Sequence, residues 1–122
     1  MISVVDDDAS MREALRGLLR STGLRVEVFA SAEEFLASGR LSGTACLVLD
    51  MRMPGLSGLE LQERLLASGS RVPVIFISAH SDEGMRARAL EAGAIEFLQK
   101  PFNDDVLLDA IAKAVGDATW RK

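Results

Sequence analysis

Asp6, Asp7 and Asp8 stand side by side in "VVDDDAS", straight after two β-branched apolar residues. Adjacent carboxylates repel: at ~4 Å and an effective dielectric of ~20, each close pair costs about 4 kcal/mol before screening. Either the three groups point apart into water or something positive sits among them. Further along, Asp50 closes the apolar run "ACLVL", Ser78 follows "VPVIFI", and Lys100 precedes Pro101 after "IEFLQ". Two or three carboxylates and a backbone carbonyl make a hard oxygen site suited to Mg²⁺. Asp6, Asp7 and Asp50 bring three negative charges, which the ion and Lys100 together return. A carboxylate can also attack phosphorus to give an aspartyl phosphate. That transfer needs positioning and charge stabilisation on the equatorial oxygens more than acid–base chemistry. Mg²⁺, Lys100 and the Ser78 hydroxyl can each take one such oxygen.

These residues share a pocket only if the chain folds so that strand ends converge. "ISVV" (2–5) reads as a short buried strand, and Met11, Leu15, Leu18 and Leu19 recur at helical spacing from Ala9 to about Ser21. Asp8 or Ser10 caps that helix, and Gly23 follows its end. "RVEVF" (25–29) alternates as a strand does. "SAEEFLASG" opens on a Ser31–Glu34 capping box and closes on Gly39. "ACLVL" (45–49) is a continuous apolar strand, and "SGLELQERLLASG" is a third helix with Leu61 and Leu65 inward. A fourth strand runs through 73–77. "SDEGMRARALEAG" is a helix with acids in its first turn and Gly93 as its stop. "IEFL" (95–98) is the fifth strand. The last helix is capped at Asn103 and aligns Leu107, Leu108, Ile111 and Val115. Five alternations of strand and helix imply a parallel sheet covered on both faces, with right-handed crossovers. Ligands bind such sheets at the carboxyl ends of the strands, where Asp6, Asp7, Asp50, Ser78 and Lys100 all fall.

A chain of 122 residues, 48% hydrophobic and 26% charged, suits one domain with a real core rather than a disordered segment. Its net charge of −4, from 14 basic and 18 acidic residues, argues against direct nucleic-acid contact by this segment. The longest apolar run, Val72 to Ile77, is too short for a membrane span, and no basic-then-apolar leader opens the chain. Cys46, the single cysteine, reads as a buried small hydrophobe in a reducing cytosol.

The pieces "VVDDD", "LVLDMRMPGLSG", "VIFISAHSD" and "FLQKPF" occur in an order and at intervals that resemble the receiver domain of two-component response regulators. The likeness covers essentially the full length. It is nearest to receivers of the nitrogen-fixation-regulator type that precede a helix-turn-helix output domain. It implies a three-layer (βα)₅ fold, doubly wound, with the flavodoxin-like strand order 2-1-3-4-5. It makes residues 1–116 the receiver domain and 117–122 a tail or the start of a linker. Asp50 would be the phosphoacceptor. Asp7, Asp50 and the backbone carbonyl of Arg52 would bind Mg²⁺ directly, with Mn²⁺ able to substitute, and Asp6 would bind through a water. Lys100, before a cis peptide bond to Pro101, would hold the phosphoryl group. Ser78 would be the switch hydroxyl and Phe97 the aromatic switch residue, able to report only by packing inward or outward. Arg52 and His80, two residues beyond Asp50 and Ser78, would tune the lifetime of the phosphorylated state. The implied partners are a sensor histidine kinase and, once phosphorylated, a second copy docked through the fourth helix, fifth strand and fifth helix, where Met85 and Arg88 lie. DNA would be reached only through an output domain outside this chain, in the cytoplasm of a bacterium.

Considered singly, several of these residues have plainer readings. Asp8 is a helix cap, Met51 and Met53 are packing and loop residues, and a lone loop histidine is more often incidental. Two other functions share the general chemistry. A phosphatase of the haloacid-dehalogenase type also uses an Asp nucleophile with Mg²⁺, but it carries a second acid two residues on, where this chain has Arg52, and needs a cap domain. A flavodoxin relative binding FMN would cradle phosphate with a first loop rich in Ser, Thr and Gly, where three aspartates would repel it. The domain is thus expected to be no general enzyme, promoting only its own phosphorylation and dephosphorylation.

Overall fold

Short apolar runs ended by glycine or acid dictate the layout of the computed structural model, which describes residues 1–79 and 83–116. The elements alternate: β1 (Ile2–Val5), α1 (Ala9–Ser21), β2 (Val26–Phe29), α2 (Ala32–Ala37), a 3₁₀ turn at Leu41–Gly43, β3 (Cys46–Asp50), α3 (Gly58–Ala67), β4 (Val74–Ser78), α4 (Glu83–Glu91), β5 (Glu96–Gln99) and α5 (Asp104–Val115). All four strand pairings are parallel, in the order β2-β1-β3-β4-β5. This is the doubly wound, flavodoxin-like order implied by the resemblance to receiver domains.

Strand side chains alternate between two cores, which is why the central strands read as unbroken apolar runs. One face carries Val5, Leu47, Leu49, Val74 and Phe76 against Phe35 of α2, Leu61 and Leu65 of α3, and Ala89 of α4. The other carries Ile2, Val4, Cys46, Val48, Ile75 and Ile77 against Leu15 and Leu19 of α1 and Leu107, Leu108 and Ile111 of α5. Cys46 is fully buried, and burial pushes its thiol up to about 12, so it is inert filling.

Three strands reach further than their apolar runs. Asp50, Ser78 and Gln99 are the last residues of β3, β4 and β5, paired in register with their neighbours. The ladder continues because main-chain pairing is indifferent to side-chain polarity. The Ser31–Glu34 box is also only half as expected: Ser31 Oγ accepts from the Glu34 N–H, but the Glu34 carboxylate takes the Ala30 N–H at 2.8 Å. A reciprocal box does form at Ser57 and Glu60, at 3.2 and 3.0 Å, opening α3. Ser57→Ala should therefore cost about 1 kcal/mol, measured by urea unfolding.

The five helices are seated to different depths. α3 buries five residues and α5 four, whereas α4 buries only Ala89. Besides that alanine, α4 is tied to α3 by the Gln62 side chain, whose Nε2 donates to the Ala89 carbonyl at 3.1 Å, and by an exposed Arg88–Glu63 pair at 3.7 Å. Gly116 closes α5 in the left-handed region at φ 68°. The expected tail at 117–122 lies outside the described residues. No helix among those described is long and apolar enough to cross a membrane.

Candidate functional site

Strand register brings the distant acids and the lysine together. Val5 pairs with Leu49, so the residues that follow them, Asp6 just past β1 and Asp50 at the end of β3, stand at the same level. Asp50 pairs with Ile77 and Ser78 with Gln99, which puts Ser78 and Lys100 on the same edge. Carboxylate oxygens of Asp6, Asp7 and Asp50 lie within 4.8 Å of one another. Asp6 and Asp50 are buried, at 0% and 6% exposure, while Asp7 is exposed. Ser78 is buried at the end of β4, and its carbonyl accepts from the Lys100 N–H at 2.7 Å.

The positive group among these acids is Lys100. Its ammonium donates to Asp6 Oδ2 at 3.1 Å and stands 3.9 Å from Asp50 Oδ1. The Lys100–Pro101 peptide is cis. Asp6 is held further by the Asp8 N–H on its Oδ1 at 2.9 Å. Asp8 itself caps α1, accepting from the N–H groups of Ser10 and Met11. One lysine does not balance the site. Burial first, then the Asp6 charge, push the Asp50 carboxyl from 3.8 up to about 7; Lys100 opposes them, a hydrogen bond with Asp7 raises it further, and the Arg52 N–H lowers it.

The other expected positions are more scattered. Phe97 on β5 is half-buried, its ring 6.5 Å from that of Phe76 and tilted by 37°. Arg52 is exposed, its guanidinium 3.8 Å from the sulfur of Met85 on α4. Met51 and Met53 are buried core residues. His80 lies outside the described residues.

Three residues that hold this edge in place carry no role in the sequence reading. Arg12 donates to the Asp6 carbonyl at 2.8 Å. Glu33 on α2 accepts from the Leu56 N–H at 3.0 Å in the loop after β3, and that bond holds its carboxyl below the usual range. Gly58 packs so tightly that a Cβ there would sit 2.1 Å from the Asp50 carbonyl oxygen. A cation in the first turn of α1 is a visible signal, since helix starts disfavour positive charge; the other two leave none.

A doubly wound sheet with acids, a hydroxyl and a lysine gathered at its carboxyl edge defines a receiver domain. The sequence model of the response regulator receiver domain family matches residues 2–112, and the chain belongs to that family. Nodulation protein W of Bradyrhizobium diazoefficiens is 50% identical over 114 residues, 93% of this chain and 50% of that protein. Among solved structures, the response regulator StyR superposes with a TM-score of 0.88 at 56% identity, covering 94% of this chain and 58% of that one. FixJ-N superposes with a TM-score of 0.85 at 38% identity, covering 94% and 92%. Other relatives bear the name of transcriptional regulatory protein. The chain spans about half the length of the curated relatives it matches. Receiver domains are signalling domains rather than general enzymes, and phosphorylation-dependent switching is the family's common work.

Proposed function

We propose that this chain is a Mg²⁺-dependent phosphorylation switch in which a sensor histidine kinase transfers phosphate to Asp50. The observation that carries the reading is the buried acid pair of Asp6 and Asp50 bridged by Lys100, with Asp7 alongside. The donor set fits the ion. Among the described residues it offers carboxylate oxygens from three side chains and no thiolate or imidazole. Burial first, then the Asp6 charge, hold the Asp50 carboxyl above its ordinary value despite Lys100. Asp7, Asp50 and the Arg52 carbonyl would hold Mg²⁺, or Mn²⁺ in its place, with Asp6 acting through a water. The bound ion would supply charge neutralisation around the carboxylates and the incoming phosphoryl oxygens.

The chain's own groups do the rest. An Asp50 carboxylate oxygen attacks phosphorus, forming an O–P bond as the P–N bond to the donor histidine breaks. Lys100 holds one phosphoryl oxygen and the Ser78 hydroxyl donates to another. Drawing Ser78 toward the phosphoryl group frees space that Phe97 can enter. The face formed by α4, β5 and α5 then changes, and two copies pair through it. This is a population shift biased by one local charge event. Arg52 and His80 govern the access of the attacking water, and with it the phosphate's lifetime. Residues 1–116 form the receiver, and a transcriptional output domain outside this chain would contact DNA in the cytoplasm, with no membrane association. The transcriptional regulators among the relatives and the acidic net charge of this segment support that division of labour.

Intact mass after incubation with acetyl phosphate tests the reading. The expected result is the gain of one phosphoryl group, mapping to Asp50 and lost when a chelator is present. No gain under any condition, kinase included, would refute it.

A further inference from the structure

α2, α3, α4 and α5 each carry at least one acid in the first turn, as the helix macrodipole favours. α1 carries none and has Arg12 there instead. A cation at that position is unfavourable by a few tenths of a kcal/mol to about 1 kcal/mol; Arg86, at the same place in α4, stands 4.0 Å from Glu83, whereas the first turn of α1 offers Arg12 no acid. Side chains on a helix lean toward its N-terminus. From the first turn, Arg12 reaches back over the loop, and its Nη1 donates to the Asp6 carbonyl at 2.8 Å. The other bonds to Asp6 fall on its N–H, received by Phe29 O at 3.1 Å, and on its carboxylate, held by Asp8 and Lys100. The Arg12 bond instead falls on the peptide group joining Asp6 to Asp7. Because that group is planar, fixing its carbonyl fixes the direction in which the chain enters Asp7.

We propose that Arg12 is a positioning residue for the cation site, holding the Asp6–Asp7 peptide so that the exposed Asp7 carboxylate stands beside Asp50. The assignment rests on the reading that Asp7 and Asp50 hold a divalent ion. Charge alone makes the opposite prediction: Arg12 repels a nearby cation, so its removal would tighten binding. Positioning requires removal to weaken it.

The test is a magnesium chloride titration of the 122-residue chain at fixed ionic strength, read from the amide NMR shifts of residues 6–8 and 50–52. Urea unfolding in EDTA is measured beside it. Arg12→Ala should weaken Mg²⁺ binding about tenfold, in the range seen when groups that orient metal ligands are lost. Arg12→Lys, which keeps the charge and one donor, should fall between parent and alanine. Should the alanine variant not fold, any weakening in the lysine variant still reports geometry, because its charge is unchanged. Equal or tighter binding in the variants overturns the assignment. So does a fall in metal-free stability with unchanged affinity, the mark of a purely structural tie. If the parent chain shows no Mg²⁺-dependent shifts, the metal reading fails and the assignment with it, an outcome distinct from either of those.

Discussion

Asp50→Asn yields a protein that accepts no phosphate yet unfolds at higher urea than the parent in EDTA at pH 8. The first half comes from removing the proposed nucleophile. The second comes from the field around it, since the folded protein holds the Asp50 carboxyl at about 7 against an ordinary 3.8. The unfolded chain loses this proton above about pH 4, whereas the folded one keeps it until about pH 7. Through that window the folded state binds more protons, so metal-free stability falls as pH rises, and the loss is complete above 7. A displacement of that size corresponds to about 4 kcal/mol as an upper limit. Relaxation around the ammonium of Lys100, which keeps Asp6 as a partner at 3.1 Å, brings the expected gain down to about 1–2 kcal/mol. Below pH 4 the two proteins should converge. An asparagine variant no more stable than the parent at pH 8 would mean that the cleft does not strain its carboxylates, and nothing in their charge would then call for a cation.

Gly58→Ala should be the most damaging single-methyl change near the site. The added Cβ meets the Asp50 carbonyl oxygen at 2.1 Å, the Asp50 carbonyl carbon at 3.0 Å and Met51 Cα at 3.1 Å. All three are backbone atoms, so no rotamer change relieves the contact. Either α3 lifts, breaking the 3.1 Å bond from the Gly58 N–H to the Met51 carbonyl, or the end of β3 shifts and takes Asp50 with it. Overpacking of this kind costs about 3 kcal/mol. Phosphate uptake should slow even in molecules that remain folded. Gly17→Ala is the control. Gly17 lies within α1 with open space where a Cβ would go, so alanine should stabilise by about 1 kcal/mol. Urea unfolding of the two variants should therefore move in opposite directions. Equal, small effects would show that the contact beneath Asp50 is looser than the geometry requires.

Alternation of apolar runs with helical spacing is enough to locate all five strands and five helices along the chain, because each element announces itself locally, whereas the strand order in the sheet comes from the family resemblance. The ends of the strands are less legible. Asp50, Ser78 and Gln99 belong to the ladder although they are polar, and an apolar run says nothing about where main-chain pairing stops. Asp6, Asp50, Ser78 and Lys100 are legible as the polar residues just past the apolar strands, and register explains why they meet: parallel neighbours in step expose their next residues at one edge. The supports of the site are hidden for a different reason. Glu33 reaches a loop amide 23 residues away and Gly58 is defined by an atom it lacks, neither of which leaves a local pattern. Glu34 shows the limit of motif reading: the right residue type at the right spacing chose the next amide along.

If phosphorylation acts through α4, as proposed, the shallow seat of that helix sets how much work the switch must do. Buried Ala89, partly buried Met85, the Gln62 amide-to-carbonyl link and the exposed Arg88–Glu63 pair are what hold α4, so a shift of this helix would wet little apolar surface. New bonds from a charged oxygen cluster, at about 1.5–3 kcal/mol each, are then of the right size to tip it. On the proposed mechanism the domain would work as a lightly loaded lever, with the sheet as its fulcrum and α4, which buries a single residue, as its arm.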